Sequence, residues 1–285
     1  MLFRSRVIPL LTLFVIVGCG GETTEPPKET PPVGENPTAP PPTAPPTLGA
    51  AELAAQAENT ALVPSPAEMQ KALDKAGIAG GLSTMVADRD FKMDGDNKDV
   101  VAVRTGVVLA DALLTVKDAP KDKLLARLDK IKAGLAALNA GADLAATIDE
   151  LSNNVKNDVT SRDDLLKELD ELHGAVIPEI KFEAGDRIVP LLQAGSWLEG
   201  SNLVASTIVT ANKADAGTAL LRQPQVVSYF QKYVQVEGPD KAPVEVLKQL
   251  EATLTKLGEI AAKPTLTIED VTEVKTQTSS VLALL

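Results

Sequence analysis

Between residues 100 and 281 the apolar side chains fall at spacings of three and four, and little else about the chain constrains its fold as tightly. Val100, Val103, Val107, Ala110 and Leu114 form one such series, and Leu124, Leu128, Ile131, Leu135 and Leu138 form the next. Leu144, Ile148, Leu151 and Val155 continue the pattern, followed by Leu165, Leu169, Leu172 and Val176. Leu247, Leu250, Leu254 and Leu257, then Val271, Val274, Thr278 and Val281, close it. A strand would alternate its apolar residues in twos, whereas this period places each series on one face of an α-helix. Each face must be buried against another helix. The expectation is an all-α fold, a multi-helix bundle of eight or nine helices over residues 50–285.

Start and stop signals agree with the periods. Ser65-Pro66-Ala67-Glu68 reads as a capping box with Pro at the first helical position. Ser161 to Asp164 and Thr267 to Asp270 read as similar starts, and Asp118 with Pro120 reads as the opening of the helix carrying Leu124. Breaks are expected at Gly77, Asp90–Asn97, Gly141, Asn157–Thr160, Pro178, Pro224, Gly238–Pro243 and Pro264. Glu179 to Glu183 alternates weakly and reads as a short extended link. The segment Asp122–Ile131 is echoed by Asp163–Leu172, 41 residues later, but no copy follows near residue 205. Shared helical chemistry explains the echo more simply than a repeat array, which needs successive copies.

The N-terminus carries a different message. Arg4 and Arg6 precede an apolar run of 11 residues, Val7 to Val17. That run is too short to span a hydrocarbon core, which needs about 20 helical residues, but it suits a signal-peptide core. Ile16-Val17-Gly18-Cys19 ends it, and Cys19 is the only cysteine in the chain. This tetrad resembles the lipobox of bacterial prolipoproteins. The resemblance implies that residues 1–18 are a signal peptide cut before Cys19. The Cys19 thiol would carry a diacylglycerol, and its new amino group an acyl chain such as palmitate. Gly20, in place of Asp, implies delivery to the outer membrane of a Gram-negative envelope. The plainer alternative is a secretory signal with an incidental cysteine.

Residues 19–49 then read as a tether. Ten of the 26 residues from Glu22 to Thr47 are proline, and Val33 is the only large aliphatic. Such a tract buries too little apolar surface to offset its ordering entropy. Pro-rich chain at roughly 3.1 Å per residue gives a reach on the order of 80 Å. Its expected role is to hold the body away from the lipid; docking to a proline reader is the alternative.

Charge and residue counts narrow the function. The chain has 39 acidic and 28 basic residues and a net charge of −11, which argues against nucleic acid as a partner. One His and one Cys cannot assemble a zinc site or a disulfide framework. There is no Gly-x-Ser-x-Gly, no phosphate-cradling Gly loop and no His-Glu-x-x-His, so the chain is not read as an enzyme and no cofactor is assigned. His173 is read as a surface or capping residue near a helix C-terminus. Its surroundings lack the Gly-x-His-x-x-Glu signature of imelysin-type helical periplasmic proteins. The preferred function is a lipid-anchored envelope protein whose helical domain is an interaction or scaffolding module for a protein partner.

Two places admit a small-molecule or metal-binding alternative. The acidic stretch Asp88–Asp99 nominates Asp90, Asp94 and Asp96 as metal ligands. With Asp90 at loop position 1, Lys92 and Val101 fall where a calcium loop needs oxygen ligands, so an EF-hand is excluded. A looser calcium site or a plain helix cap remains. The other place is the helix read from Asp186 to Ala211, which is apolar on two sides and therefore central. Gly195, Ser196, Gly200 and Ser201 would let neighbours approach closely. Trp197, Glu199 and Asn202 are candidates for a ligand slot there, with Trp197 as wall and the other two as polar anchors. Arg104 and Asp111 are read as part of a solvated stripe, with a buried or half-buried polar pair with neighbours as the alternative.

Overall fold

The computed structural model describes residues 63–95, 97–239 and 243–285. The signal segment, Cys19, the proline tract, residues 50–62 and Asp96 lie outside the described residues. Ten α-helices and a short 3-10 turn, Leu82–Thr84, make up the body, with no strand among the described residues. They are α1 (Pro66–Ala76), α2 (Lys98–Thr115), α3 (Lys121–Ala137), α4 (Ala142–Lys156), α5 (Arg162–Ala184), α6 (Ile188–Ala211), α7 (Ala214–Leu221), α8 (Pro224–Glu237), α9 (Val244–Ala261) and α10 (Ile268–Leu282). The all-α bundle is thus as expected, with more helices than the eight or nine anticipated. None of the described helices is long and apolar enough to cross a membrane.

Helix α6 is the axis. It packs along α2 over most of its length and along α10 on another side, with α1, α5, α7 and α8 touching it as well. Sixteen of its residues are buried, including Glu199, Ser201 and Asn202. Small side chains set how closely α2 and α6 approach. A Cβ on Gly106 would lie 2.0 Å from the Leu192 carbonyl oxygen, and one on Gly195 would lie 2.0 Å from that of Val103. Ser196 Oγ donates to the Gly106 carbonyl at 2.9 Å across the same contact. The close approach anticipated at Gly195 and Ser196 is therefore real. Residues 106 and 195 meet at the centre, which a one-dimensional repeat array would not allow.

Three of the four caps read from the sequence are formed. Ser65 and Glu68 make the reciprocal box at α1, Thr267 and Asp270 make it at α10, and Ser161 Oγ accepts from Asp164 N at 3.2 Å. Asn97 opens α2 by accepting from Asp99 N and Val100 N. Arg162, at the start of α5, donates to the carbonyls of Val116 and Ala119 at 3.0 Å, satisfying groups at the end of α2.

Several expectations are corrected. Pro178 does not break α5, and Glu179 to Glu183 is helical rather than extended. The apolar stripe runs on through Leu172, Val176 and Ile180, all buried, so packing holds the helix across the proline. His173 consequently sits mid-helix and half-buried, where burial lowers its pKa. Asp118 does not cap α3. It accepts instead from Ser83 N at 3.3 Å, and Pro120 precedes the helix without a side-chain cap.

Candidate functional site

The helical register already separates the three ligand candidates of α6. At about 100° per residue, Trp197 stands roughly 160° from Glu199 and 140° from Asn202. The structure places them accordingly. Trp197 is buried against α8, its ring 5.2 Å from that of Phe230 and tilted 34° to it, and donates from Nε1 to Gln223 Oε1 at 2.7 Å. The Asn202 amide donates to Lys275 O, Thr278 Oγ1 and Ser279 Oγ at 3.1, 3.0 and 2.7 Å, joining α6 to α10. Glu199 points elsewhere, its side chain 0% exposed. No single slot walled by Trp197 is formed; Trp197 and Asn202 are packing and joining residues.

What Glu199 meets is a buried charged group that the sequence reading missed. Arg89, from the segment between the 3-10 turn and α2, places Nη1 2.9 Å from Glu199 Oε2. Asp111 on α2 is 6% exposed and lies against Glu199. Asp111 therefore does not belong to a solvated stripe. Its former companion Arg104 is half-buried, donating to the carbonyls of Lys92 and Leu285, with Phe91 at 5.8 Å. Burial pushes the Asp111 carboxyl well above the usual carboxylate range, and the neighbouring Glu199 charge adds to the rise. Arg127 and Arg89 pull the other way without reversing it. Two carboxylates are acceptors only, so a proton on Asp111 supplies the donor that links it to Glu199. The fold thus favours the neutral form of Asp111, beside Glu199 and the Arg89 guanidinium 2.9 Å from it.

This gives a signed pH dependence. In the unfolded chain Asp111 ionises near about 3.9, whereas the folded chain keeps its proton to higher pH. Between those points the native state binds more protons, so stability falls as pH rises through the interval. Asp111→Asn keeps a donor for Glu199 without needing a proton. The variant is expected to melt above the parent at pH 7, with the advantage shrinking as pH approaches about 4. Thermal melts of both proteins across that range check it; a constant difference would contradict the assignment.

The cluster underlies a cleft of about 290 Å³ between residues 83–91, α2 and α3. Asp111 lines its floor, while Arg89, Lys123, Arg127 and Lys130 line its sides. Both flanks of the covering segment are pinned, Ser83 by Asp118 and the Arg89 carbonyl by Lys130 Nζ at 2.8 Å. Arg127 donates to Thr115 Oγ1. On the far side Arg89 also borders a second cleft of about 360 Å³, with Asn202, Ser206 and Ser279.

Comparison with protein-family models, curated proteins and solved structures finds no match for this chain. The site must speak for itself.

For the metal candidates, no group of three His, Cys, Asp or Glu side chains able to hold an ion occurs among the described residues. The Asp90 side chain is fully exposed and 3.9 Å from Lys130. Asp99, at the other end of the acidic stretch, is tied to Arg187 at 2.6 Å. Neither Asp90 nor Asp94 is drawn towards a shared centre, and Asp96 lies outside the described residues.

Proposed function

We propose that this is a lipid-anchored protein of the bacterial envelope, held at the outer membrane through Cys19, whose helical body works by interaction rather than by catalysis. The observation that carries the anchor is the order of signals: basic start, short apolar run, Ile16-Val17-Gly18-Cys19, then a proline-rich spacer. Two or more acyl chains on one residue would hold a protein firmly on a bilayer, whereas one would not. The body adds an acidic unit, residues 50–285 carrying 25 basic and 35 acidic side chains. Such a unit suits a polar or cationic protein partner and disfavours nucleic acid.

The small-molecule alternative has an observation of its own. The cleft over Asp111 gathers four basic side chains on a chain that is otherwise acidic. A cleft with a few convergent polar groups is where a small ligand is accommodated.

Growth with a radiolabelled or clickable fatty acid tests the anchor. The wild-type chain should take up label and partition with membranes, and Cys19→Ser should lose both. Equal labelling of the two proteins would overturn the anchor at Cys19.

A further inference from the structure

We infer that the cleft between residues 83–91, α2 and α3 binds a small hydroxylated organic anion, its acidic group held by Lys123, Arg127 and Lys130 and its hydroxyl directed to Asp111. This deepens the small-molecule reading and rests on it. The inference starts from an acceptor that nothing serves. Asp111 is more than nine-tenths buried and lines the cleft, yet no described residue donates to its carboxyl. An acceptor left unserved in such a place is destabilising, so a donor from a bound molecule is favoured there.

The walls fix the rest of the chemistry. Arg89 is committed to Glu199; among the described residues Lys123 and Arg127 form no ion pair, Lys130 donates to the Arg89 carbonyl at 2.8 Å, and Asp88 is the one further carboxylate lining the cleft beside Asp111. The contact from Lys130 to Asp90 is 3.9 Å, and Asp90 is fully solvated. Lys123 is exposed and Arg127 half-buried on the same helix, four residues apart, so both reach one side of the cleft. Guanidinium and ammonium groups so arranged suit a carboxylate or phosphate. A bare cation would meet net positive charge, and a fully apolar ligand would leave Asp111 unserved. About 290 Å³ accommodates a molecule of small-metabolite size.

Isothermal titration of the full-length protein in mild detergent tests this with four probes: malate, succinate, glycerol 3-phosphate and ethyl phosphate. Malate and glycerol 3-phosphate carry the hydroxyl, and their partners lack it. At least one hydroxylated probe should bind saturably with a dissociation constant of about 1 mM or tighter. It should bind about 10-fold more tightly than its hydroxyl-free partner. Preference for malate identifies a carboxylate ligand, and preference for glycerol 3-phosphate a phosphate ester. Lys123→Glu, at an exposed position, should weaken binding about 10-fold or more without changing the melting temperature by more than a degree or two. Asp111→Leu should erase the hydroxyl preference. No saturable binding by any probe, equal binding with and without the hydroxyl, or unchanged binding in Lys123→Glu would each overturn the inference. None of those outcomes bears on labelling at Cys19, so failure of the cleft and failure of the anchor are told apart.

Discussion

Replacing Gly106 or Gly195 by alanine should each destabilise the protein by about 3 kcal/mol or more, although alanine is the better helix former. At both positions the added carbon would land 2.0 Å from a backbone carbonyl oxygen of the facing helix. Backbone cannot swing aside as the tip of a long side chain can, so α2 and α6 would have to separate along their shared interface. The propensity gain of about 1 kcal/mol is too small to offset that. For a body of this size the loss corresponds to a fall in melting temperature of about 6–12 °C. Gly174→Ala is the control, since its Cβ would meet nothing within 4 Å. That variant should be neutral or stabilised by up to about 1 kcal/mol. If Gly106→Ala melts with Gly174→Ala, the two central helices do not touch as described.

Breaking the buried pair should be comparably severe. Arg89→Met leaves Glu199 without its cation at a position with no solvent access, and the expected loss is about 3–5 kcal/mol. The cause would be the stranded carboxylate rather than the lost attraction, because a buried pair as a whole contributes little net stability. Adding Glu199→Gln to that variant should therefore restore most of the loss. A double-mutant cycle by chemical denaturation measures it. Additive losses, with the double variant worse than either single one, would show that Arg89 and Glu199 do not depend on each other.

Much of the fold was legible because its signals are local. The apolar periods of α2 to α5, α9 and α10 each lie within about four turns, and the caps at Ser65, Ser161 and Thr267 within four residues. The eight-residue α7 was harder to foresee, since a helix that short carries barely two turns of pattern. Pro178 misled for the converse reason: a local breaker was overruled by the buried stripe on both sides of it. The small residues of α6 announced a close crossing but not its partner, which lies about ninety positions away at Gly106.

The candidate site was legible only in part. Glu199 stands out in the sequence as a polar residue on an apolar helix, which is the right kind of signal. Nearness in sequence groups it with Trp197 and Asn202, although helix geometry turns Trp197 to the opposite side. Its actual companions are Asp111 and Arg89, 88 and 110 positions earlier in the chain. Nothing in the spacing of those residues joins them. Asp111 sits on a helix whose other neighbours are Val, Leu and Ala, and a carboxylate there reads as easily as a solvated edge. Only the packing of α2 on α6 decides that it is enclosed. Lys123, Arg127 and Lys130, by contrast, lie within eight residues of α3, where five basic residues outnumber two acidic ones, and the net −11 of the whole chain masks that local surplus.

If the small-molecule reading of the anchored body holds, the cleft over Asp111 is where its ligand sits. Native mass spectrometry of the full-length protein, extracted from its own membranes in mild detergent, tests that most directly. The prediction is one small added mass per chain in the wild type, absent from Lys123→Glu prepared in the same way. A bare mass for both proteins, or an identical added mass on both, would contradict it.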